Sequence, residues 1–547
     1  MKSKWQSLLS KGMVLILALT MILTGCVNSE SASSKEGTGT KEKARYEVDE
    51  NIPAWKADKK ESTELTWYVN ADWFNKEYGN DTITKKLKED LNLDIKFLTG
   101  DDTKLNTYFA SGDLPDIITI FGGNTPTAQK ADTWALPLSE LADKYDPYFH
   151  KVAQEQTLNW YQLKDGKTYG YPSFSNTDEH YDNGMVVGSD AFVIRNDIYE
   201  AIGKPSMSTP EEFLSALEKI KAQFPDTIPF GFRGFAAEGD TSSLAGILQN
   251  HLGVPITTED GKWYNRNLDE DYLEWIKVFN EAYKKGYISE DNFSDDNTIF
   301  EEKVARGDYA AMFVNGVPQL SSTLQKNIAA NPDQKYIAID GPKSTKGNEP
   351  ALNQTGISGW SVTYITKKAK DPQKAIQLFT YLLSEDGQYL TNYGVEGETF
   401  DFNGEGKAVL KPEVLELRNA NPDEYKKKYR LGEFWFFGHD TFALEKGQNE
   451  PVEATAQITE WAEGKLKPQF IIENTDPDQG SAEARSLTNI NSFWATTLAN
   501  MLRAKNDKAF DKLVSDYEKF LDANNFDAII KIRNEKMKEN AEKLGYE

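Results

Sequence analysis

Between residues 64 and 121 the chain alternates strand and helix patterns, and that alternation limits the fold more than any other feature. Residues 64–69 form a β-rich run that ends at Asn70, Ala71, Asp72, Trp73 and Phe74. An amphipathic helix is predicted over about 80–91, and residues 93–97 alternate as a second strand. Residues 104–110 read as a helix. Gly112-Asp113-Leu114-Pro115 breaks the chain before the apolar run 116–121, which Gly122 and Gly123 close. Strand, helix, strand, helix, strand is the signature of an α/β fold, and its order favours a mostly parallel sheet.

Later helices carry local signals. Thr209-Pro210-Glu211-Glu212 supplies an N-cap threonine, proline at N1 and glutamate at N3, ahead of Phe213, Leu214, Leu217 and Ile220 on one face. Tyr272, Trp275, Ile276, Phe279 and Tyr283 recur at helical spacing. Asp371-Pro372 opens another helix, and Phe510, Leu513, Tyr517 and Leu521 line one near the end. Most aromatics in these stripes are expected in cores.

Composition excludes several classes. At roughly 100–200 residues per domain, 547 residues make a multi-domain chain. One cysteine rules out a disulfide scaffold and a thiolate metal cluster in the body. Asp and Glu (86) outnumber Lys and Arg (62), which argues against nucleic acid as the partner. The four histidines, at 150, 180, 251 and 439, form no HExxH pair, so zinc catalysis lacks support and no cofactor is expected.

Lys2, Lys4 and Lys11 precede an apolar run over 12–22, then Leu23-Thr24-Gly25-Cys26. About eleven residues rise only about 16 Å as a helix, short of a hydrocarbon layer of roughly 30 Å. The run therefore reads as a cleavable export signal over residues 1–25. Leu-Thr-Gly-Cys resembles the bacterial lipoprotein cleavage box, which implies a diacylated Cys26 and a firm hold on the membrane. An ordinary signal with a chance cysteine is the alternative. Residues 26–61 are polar until Trp55 and are expected to form a flexible tether with an end-to-end distance of about 30 Å.

Three glycine-containing breaks are candidate hinges: Tyr169-Gly170-Tyr171-Pro172, Ile339-Asp340-Gly341-Pro342 and Tyr393-Gly394-Val395-Glu396-Gly397. Several segments then resemble one family in its own order. Ala110-Ser111-Gly112-Asp113-Leu114-Pro115-Asp116-Ile117 is similar to an element of extracellular solute-binding lipoproteins of bacterial ABC sugar importers. Leu136-Pro137-Leu138-Ser139-Glu140-Leu141, Gly166–Pro172, the run 192–197 before the Thr209 helix, and 300–313 follow suit. Val395-Glu396-Gly397 resembles a turn of the large oligosaccharide-binding subgroup in Gram-positive bacteria. Arg195-Asn196-Asp197-Ile198 departs from that subgroup in lacking a tryptophan after the aspartate.

The resemblance covers essentially residues 62–547. It implies a two-lobed α/β, periplasmic-binding-protein-like fold with interlobe crossovers and a ligand cleft. The first lobe would hold 62–175 and a returning segment 355–395; the second would hold 176–354 and 396–547. It also implies an oligosaccharide ligand, ABC permease subunits as partners, a lipid-anchored extracellular location and a monomer that breaks no bond. The rivals are a secreted carbohydrate-active enzyme, a receptor for peptides or another small solute, and a purely structural lipoprotein. No nucleophile elbow, P-loop or dinucleotide fingerprint supports an enzyme. The acidic balance argues mildly against a strongly anionic polysaccharide, although a locally basic cleft would offset it.

Sugar rings need flat aromatic surfaces together with amide, carboxylate or guanidinium groups for their hydroxyls. Candidates at strand ends or in loops are Asn70, Trp73, Gly123, Asn124, Tyr171, Phe174, Arg233, Phe235, Asn315 and Trp360. The run Phe434-Trp435-Phe436-Phe437-Gly438-His439 adds Trp435, Phe436 and His439; for each aromatic, packing is the alternative. Glu396 rests on the resemblance alone. Asp291, Asp295 and Asn297 concentrate oxygen donors and are weak calcium candidates, since the loop lacks EF-hand spacing. A solvated acidic loop is preferred.

Overall fold

The computed structural model describes residues 43–188, 190–235, 243–352, 356–438, 440–448 and 452–546. Cys26, the export signal, residues 27–42 of the expected tether and His439 lie outside the described residues. The strands are β1 (Thr63–Val69), β2 (Leu93–Thr99), β3 (Ile117–Phe121), β4 (Gly170–Pro172), β5 (Asp190–Arg195), β6 (Ile228–Gly231), β7 (Tyr309–Asn315), β8 (Tyr336–Ala338), β9 (Ser361–Ile365), β10 (Phe400–Phe402) and β11 (Ala408–Leu410).

Two sheets organise two lobes. The first runs β2-β1-β3-β9-β4; the second runs β6-β7-β5-β8. β1 is parallel to β2 and β3, as the strand–helix alternation predicts. β9 instead lies antiparallel to both β3 and β4, so the sheet is mixed and not mostly parallel. The reason is where the chain re-enters. Trp360 arrives beside Gly122 at the carboxyl edge, its carbonyl accepting from the Gly122 N–H at 3.1 Å, and from there a strand can only run back. The second sheet is mixed too, with β6 parallel to β7 and β5 antiparallel to β7 and β8.

Helix formation follows the local signals. Thr209 and Glu212 exchange hydrogen bonds as a capping box over the helix Pro210–Gln223, which buries Phe213, Leu217 and Ile220. Such a cap stabilises by about 1 kcal/mol. Asp371 caps the helix Pro372–Leu383, which is buried under the first sheet. The helices Glu270–Lys284, Ala482–Leu502 and Asp507–Ala523 contribute Trp275, Trp494 and Tyr517 to the core of the second.

Four expectations about organisation change. Residues 44–61 are not free tether. Trp55 is buried against Tyr381 (ring centroids 5.3 Å apart), and Arg45 binds Asp58 at 3.0 Å and Asp371 at 2.8 Å. The fixed body starts at Ala44. Gly170-Tyr171-Pro172 is strand β4 rather than a hinge, so the first crossing follows Pro172. Ile339 and Gly341 pack on the second lobe, where a Cβ on Gly341 would collide with Phe192. The boundary after residue 395 does not mark a change of core. Val414, Tyr425, Tyr429, Phe434, Phe436 and Phe437 belong to the first-lobe core, where the three phenylalanine rings surround Trp67 of β1. The chain crosses back between Gln448, whose N–H bonds Ala408, and Ala454, which lies in the second lobe.

Candidate functional site

The carboxyl edge of the first sheet ends in aromatic rings. Trp73 follows β1, Phe121 closes β3 and Trp360 precedes β9. Trp435 reaches the same edge from the long return segment. Trp73 and Trp360 stack at 6.0 Å with an interplanar angle of 13°. Trp435 lies 5.0 Å from Trp360 and 5.9 Å from Trp73, and Phe121 lies 4.7 Å from Trp360. Burying a tryptophan is strongly favourable, yet Trp73 is 62% exposed and Trp360 48%. Rings held in a cluster while facing water form a surface prepared for a flat apolar guest.

The local structure explains why they stay there. Phe434, Phe436 and Phe437 alternate inward onto Trp67, which leaves Trp435 at the rim. Arg430, fully buried, donates to the carbonyls of Asn75 and Glu77 and lies 5.2 Å from the Phe74 ring. That fixes the loop just after Trp73. Asn70 at the end of β1 donates to Asp102 at 2.7 Å and accepts from the Tyr68 hydroxyl at 3.0 Å.

Beside the rings the two lobes enclose polar space. Gly122, Asn124 and Thr125 face Asn474, Gln479 and Asn491 across a cavity of about 460 Å³. Gly123 and Asn124 also line a second cavity of about 400 Å³ with Tyr161, Asn474 and Lys536. Both volumes suit a small ligand. Asn124 Nδ2 reaches the Asn474 carbonyl at 3.5 Å, a direct contact between the walls. Side-chain amides donate and accept, as hydroxyl-rich ligands require.

The structure thus gathers Trp73, Gly123, Asn124, Trp360 and Trp435 at one edge, with Asn70 next to them. It removes others. Tyr171 is fully buried, its hydroxyl accepting from the Gln154 N–H at 3.1 Å, because it is the central residue of β4, all of which is buried. Phe436 is equally buried, 4.3 Å from Trp67. Glu396 is exposed in an open depression lined by Trp55, Asn92 and Tyr389, at the opposite, amino edge of the sheet. Phe174 is half-buried on the crossover, where its carbonyl lies against Gly359. Arg233, Phe235 and Asn315 stand at the carboxyl ends of β6 and β7 in the other lobe. Asn315 is exposed, while Phe235 stacks on Phe293 at 5.9 Å and so serves packing.

One carboxylate illustrates the electrostatics. Burial pushes Asp190, at the start of β5, up to about 7, against the lowering effect of the Gly316 N–H and the Asn250 side chain. The calcium candidates do not form a cage. Lys303 Nζ sits 2.5 Å from Asp295 Oδ2 and 3.9 Å from Asp291 Oδ2, so an ammonium already supplies the positive charge. Asn297 merely opens the next helix. Among the described residues, no three His, Cys, Asp or Glu side chains converge as a metal site.

Phe121 and Asn474 escaped the sequence reading. Phe121 was legible in principle as the last residue of a strand whose neighbours carry Trp73 and Trp360. Asn474 has no local signal.

Two mixed α/β lobes, crossed repeatedly by the chain and carrying an open aromatic edge beside polar cavities, define a two-lobed binding protein. The chain belongs to the family of bacterial extracellular solute-binding proteins, whose pattern matches residues 76–389. It is 21% identical over 432 residues to the polygalacturonan/rhamnogalacturonan-binding protein YtcQ of Bacillus subtilis (strain 168), covering 76% of this chain and 77% of that protein. Its fold is similar to an HMO-binding, ABC-transporter-associated solute-binding protein from Bifidobacterium longum infantis: TM-score 0.65, 15% identity, 87% of this chain and 99% of that one. The Streptococcus pneumoniae substrate-binding protein FusA in complex with kestose gives a TM-score of 0.60 at 17% identity, covering 87% and 99%. The family and these neighbours are binding proteins.

Proposed function

We propose that this protein captures an oligosaccharide outside the cell and delivers it, chemically unchanged, to the permease of an ABC importer. The observation that carries the reading is the exposed Trp73–Trp360 pair, backed by the half-buried Trp435, beside an amide-lined space between the lobes. Pyranose C–H faces stack on such rings while hydroxyls meet Asn124, Asn474, Gln479 and Asn491. The relatives support the class of ligand, since their names record polygalacturonan/rhamnogalacturonan, HMO and kestose. Closure of the two lobes over the sugar would bury it and create the form the permease recognises. In this reading Cys26 is diacylated, the protein is a monomer, and the chain between Cys26 and Ala44 links the membrane to the first lobe.

Calorimetry against a panel of oligogalacturonides, fructans and milk oligosaccharides tests capture. A saturable, stoichiometric heat with one class is expected, with a smaller radius of gyration when bound. No saturable binding across the panel, or release of new reducing ends by the purified protein, would overturn it. Cys26→Ser should release the protein into the medium; continued membrane retention would remove the anchoring part.

A further inference from the structure

The turn that carries Trp360 into β9 is gripped from the other lobe. Glu473 Oε1 accepts from the Ile357 N–H at 3.2 Å. Its Oε2 accepts from the Ser358 N–H at 3.1 Å and the Ser358 hydroxyl at 2.6 Å. Gly356 is a necessary glycine here, because a Cβ would overlap the Glu473 carboxylate. Gly359, at φ +65°, is another, since a Cβ would stand 2.5 Å from the Phe174 carbonyl. Asn474 Nδ2 adds a hydrogen bond to the Ser358 hydroxyl at 2.9 Å, and the Tyr161 hydroxyl donates to the Ser358 carbonyl. Every residue from 356 to 359 is therefore fixed by contacts, and the next residue is Trp360.

Glu473 itself is held by second-lobe structure. It follows the helix Ala456–Ala462, whose Ile458 lies in the second lobe. Asn540 of the last helix, Phe526–Leu544, donates to the Ile471 carbonyl at 3.0 Å and the Glu473 carbonyl at 2.8 Å. The same helix buries Ile529 in the second-lobe core. Burial raises the Glu473 carboxyl above its ordinary range despite the three hydrogen bonds that oppose the shift. A carboxylate taken out of water is costly unless it is hydrogen-bonded, and here it is the turn that supplies the bonds.

We infer that Glu473 is a positioning residue for sugar capture: carried by the second lobe, it fixes the Gly356–Gly359 turn and through it the exposed Trp360 ring on the first lobe. The interlobe geometry and the aromatic surface are thereby mechanically joined, so lobe movement reorients Trp360. The effect on affinity rests on the sugar-capture reading; the effect on ring position does not.

The test separates the two. The Trp73–Trp360 stack gives an exciton couplet in far-ultraviolet circular dichroism, located by the difference spectra of Trp73→Phe and Trp360→Phe. In Glu473→Gln, one acceptor oxygen becomes a donor facing donors, and the couplet should fall at least about twofold, with ring stacking lost. Ser358→Ala, which removes a single hydrogen bond to the same carboxylate, should shift the couplet in the same direction by less, and decides the matter if Glu473→Gln does not fold. With trigalacturonate as probe, Glu473→Gln should weaken binding about 10-fold in the native background and less than about twofold in Trp360→Ala. An unchanged couplet in both variants, or the full loss of affinity repeated in Trp360→Ala, would overturn the positioning role. If the native chain ignores trigalacturonate, capture of that sugar fails while the couplet still decides the position of Trp360.

Discussion

The two edges of the first sheet use similar residues for opposite ends. At the amino edge, Trp55 is packed away, and Arg45, Lys60 and Lys374 enclose Asp58 and Asp371 in a sealed ionic network. At the carboxyl edge, Trp73 and Trp360 remain in water and the half-buried Trp435 supports their rings. The first edge pairs its buried carboxylates with cations and joins the amino-terminal arm to the body. The second leaves apolar faces without partners. Difference in exposure, not in residue type, separates a structural edge from a receptive one.

That contrast breaks most severely at Asp58. Burial alone would raise its carboxyl, but hydrogen bonds from Arg45 and the Lys60 N–H, with the charge of Lys374, hold it well below the usual range. Its side chain is 1% exposed, as is that of Lys374. Asp58→Asn should lower unfolding free energy by about 3–5 kcal/mol in urea titrations and leave sugar affinity within about twofold. The sign with pH follows from the depressed value. The contribution is complete above the ordinary carboxylate range and disappears as pH falls below it. A variant with native stability would show that the amino edge is not a clamp.

Trp360→Ala should act in the opposite sense. An exposed anchor of about 2 kcal/mol predicts roughly 30-fold weaker sugar binding by calorimetry, with an unfolding midpoint close to native. Equal loss of stability and affinity would erase the distinction between the edges.

Asp190 sharpens the comparison by moving the other way. It is buried without a cationic neighbour in hydrogen-bond contact, and its carboxyl is pushed up to about 7. Its contribution to stability is therefore favourable below about 4 and is lost as pH rises from there through about 7. Asp190→Asn should flatten that limb and raise stability at pH 8 by on the order of 1–2 kcal/mol, measured by urea unfolding at several pH values. The smallest effect is expected at Glu396, exposed at the structural edge. Glu396→Ala should change sugar affinity by less than about twofold, and a larger loss would relocate the binding surface.

Much of this was legible because the signals were local. Trp73 follows a strand, Trp360 lies in the loop segment Gly356-Ile357-Ser358-Gly359-Trp360, and strand ends and loops are where binding residues are expected. The run Phe434–Phe437 shows where such reasoning stops. Four adjacent aromatics look alike in sequence, but only Trp435 avoids the cage around Trp67, and that depends on a strand far away in the chain. Tyr171 was misplaced because a three-residue strand leaves too little alternation to show which side is inward. Glu473 was invisible, since its partner turn lies 115 positions earlier.

The middle position of β9 has a consequence for biosynthesis. Thr363 bonds Thr119 across 244 positions of sequence, so β3 keeps an open flank until the polypeptide has passed that point. The receptive edge of the first sheet is therefore completed late in synthesis, once most of the polypeptide has been made.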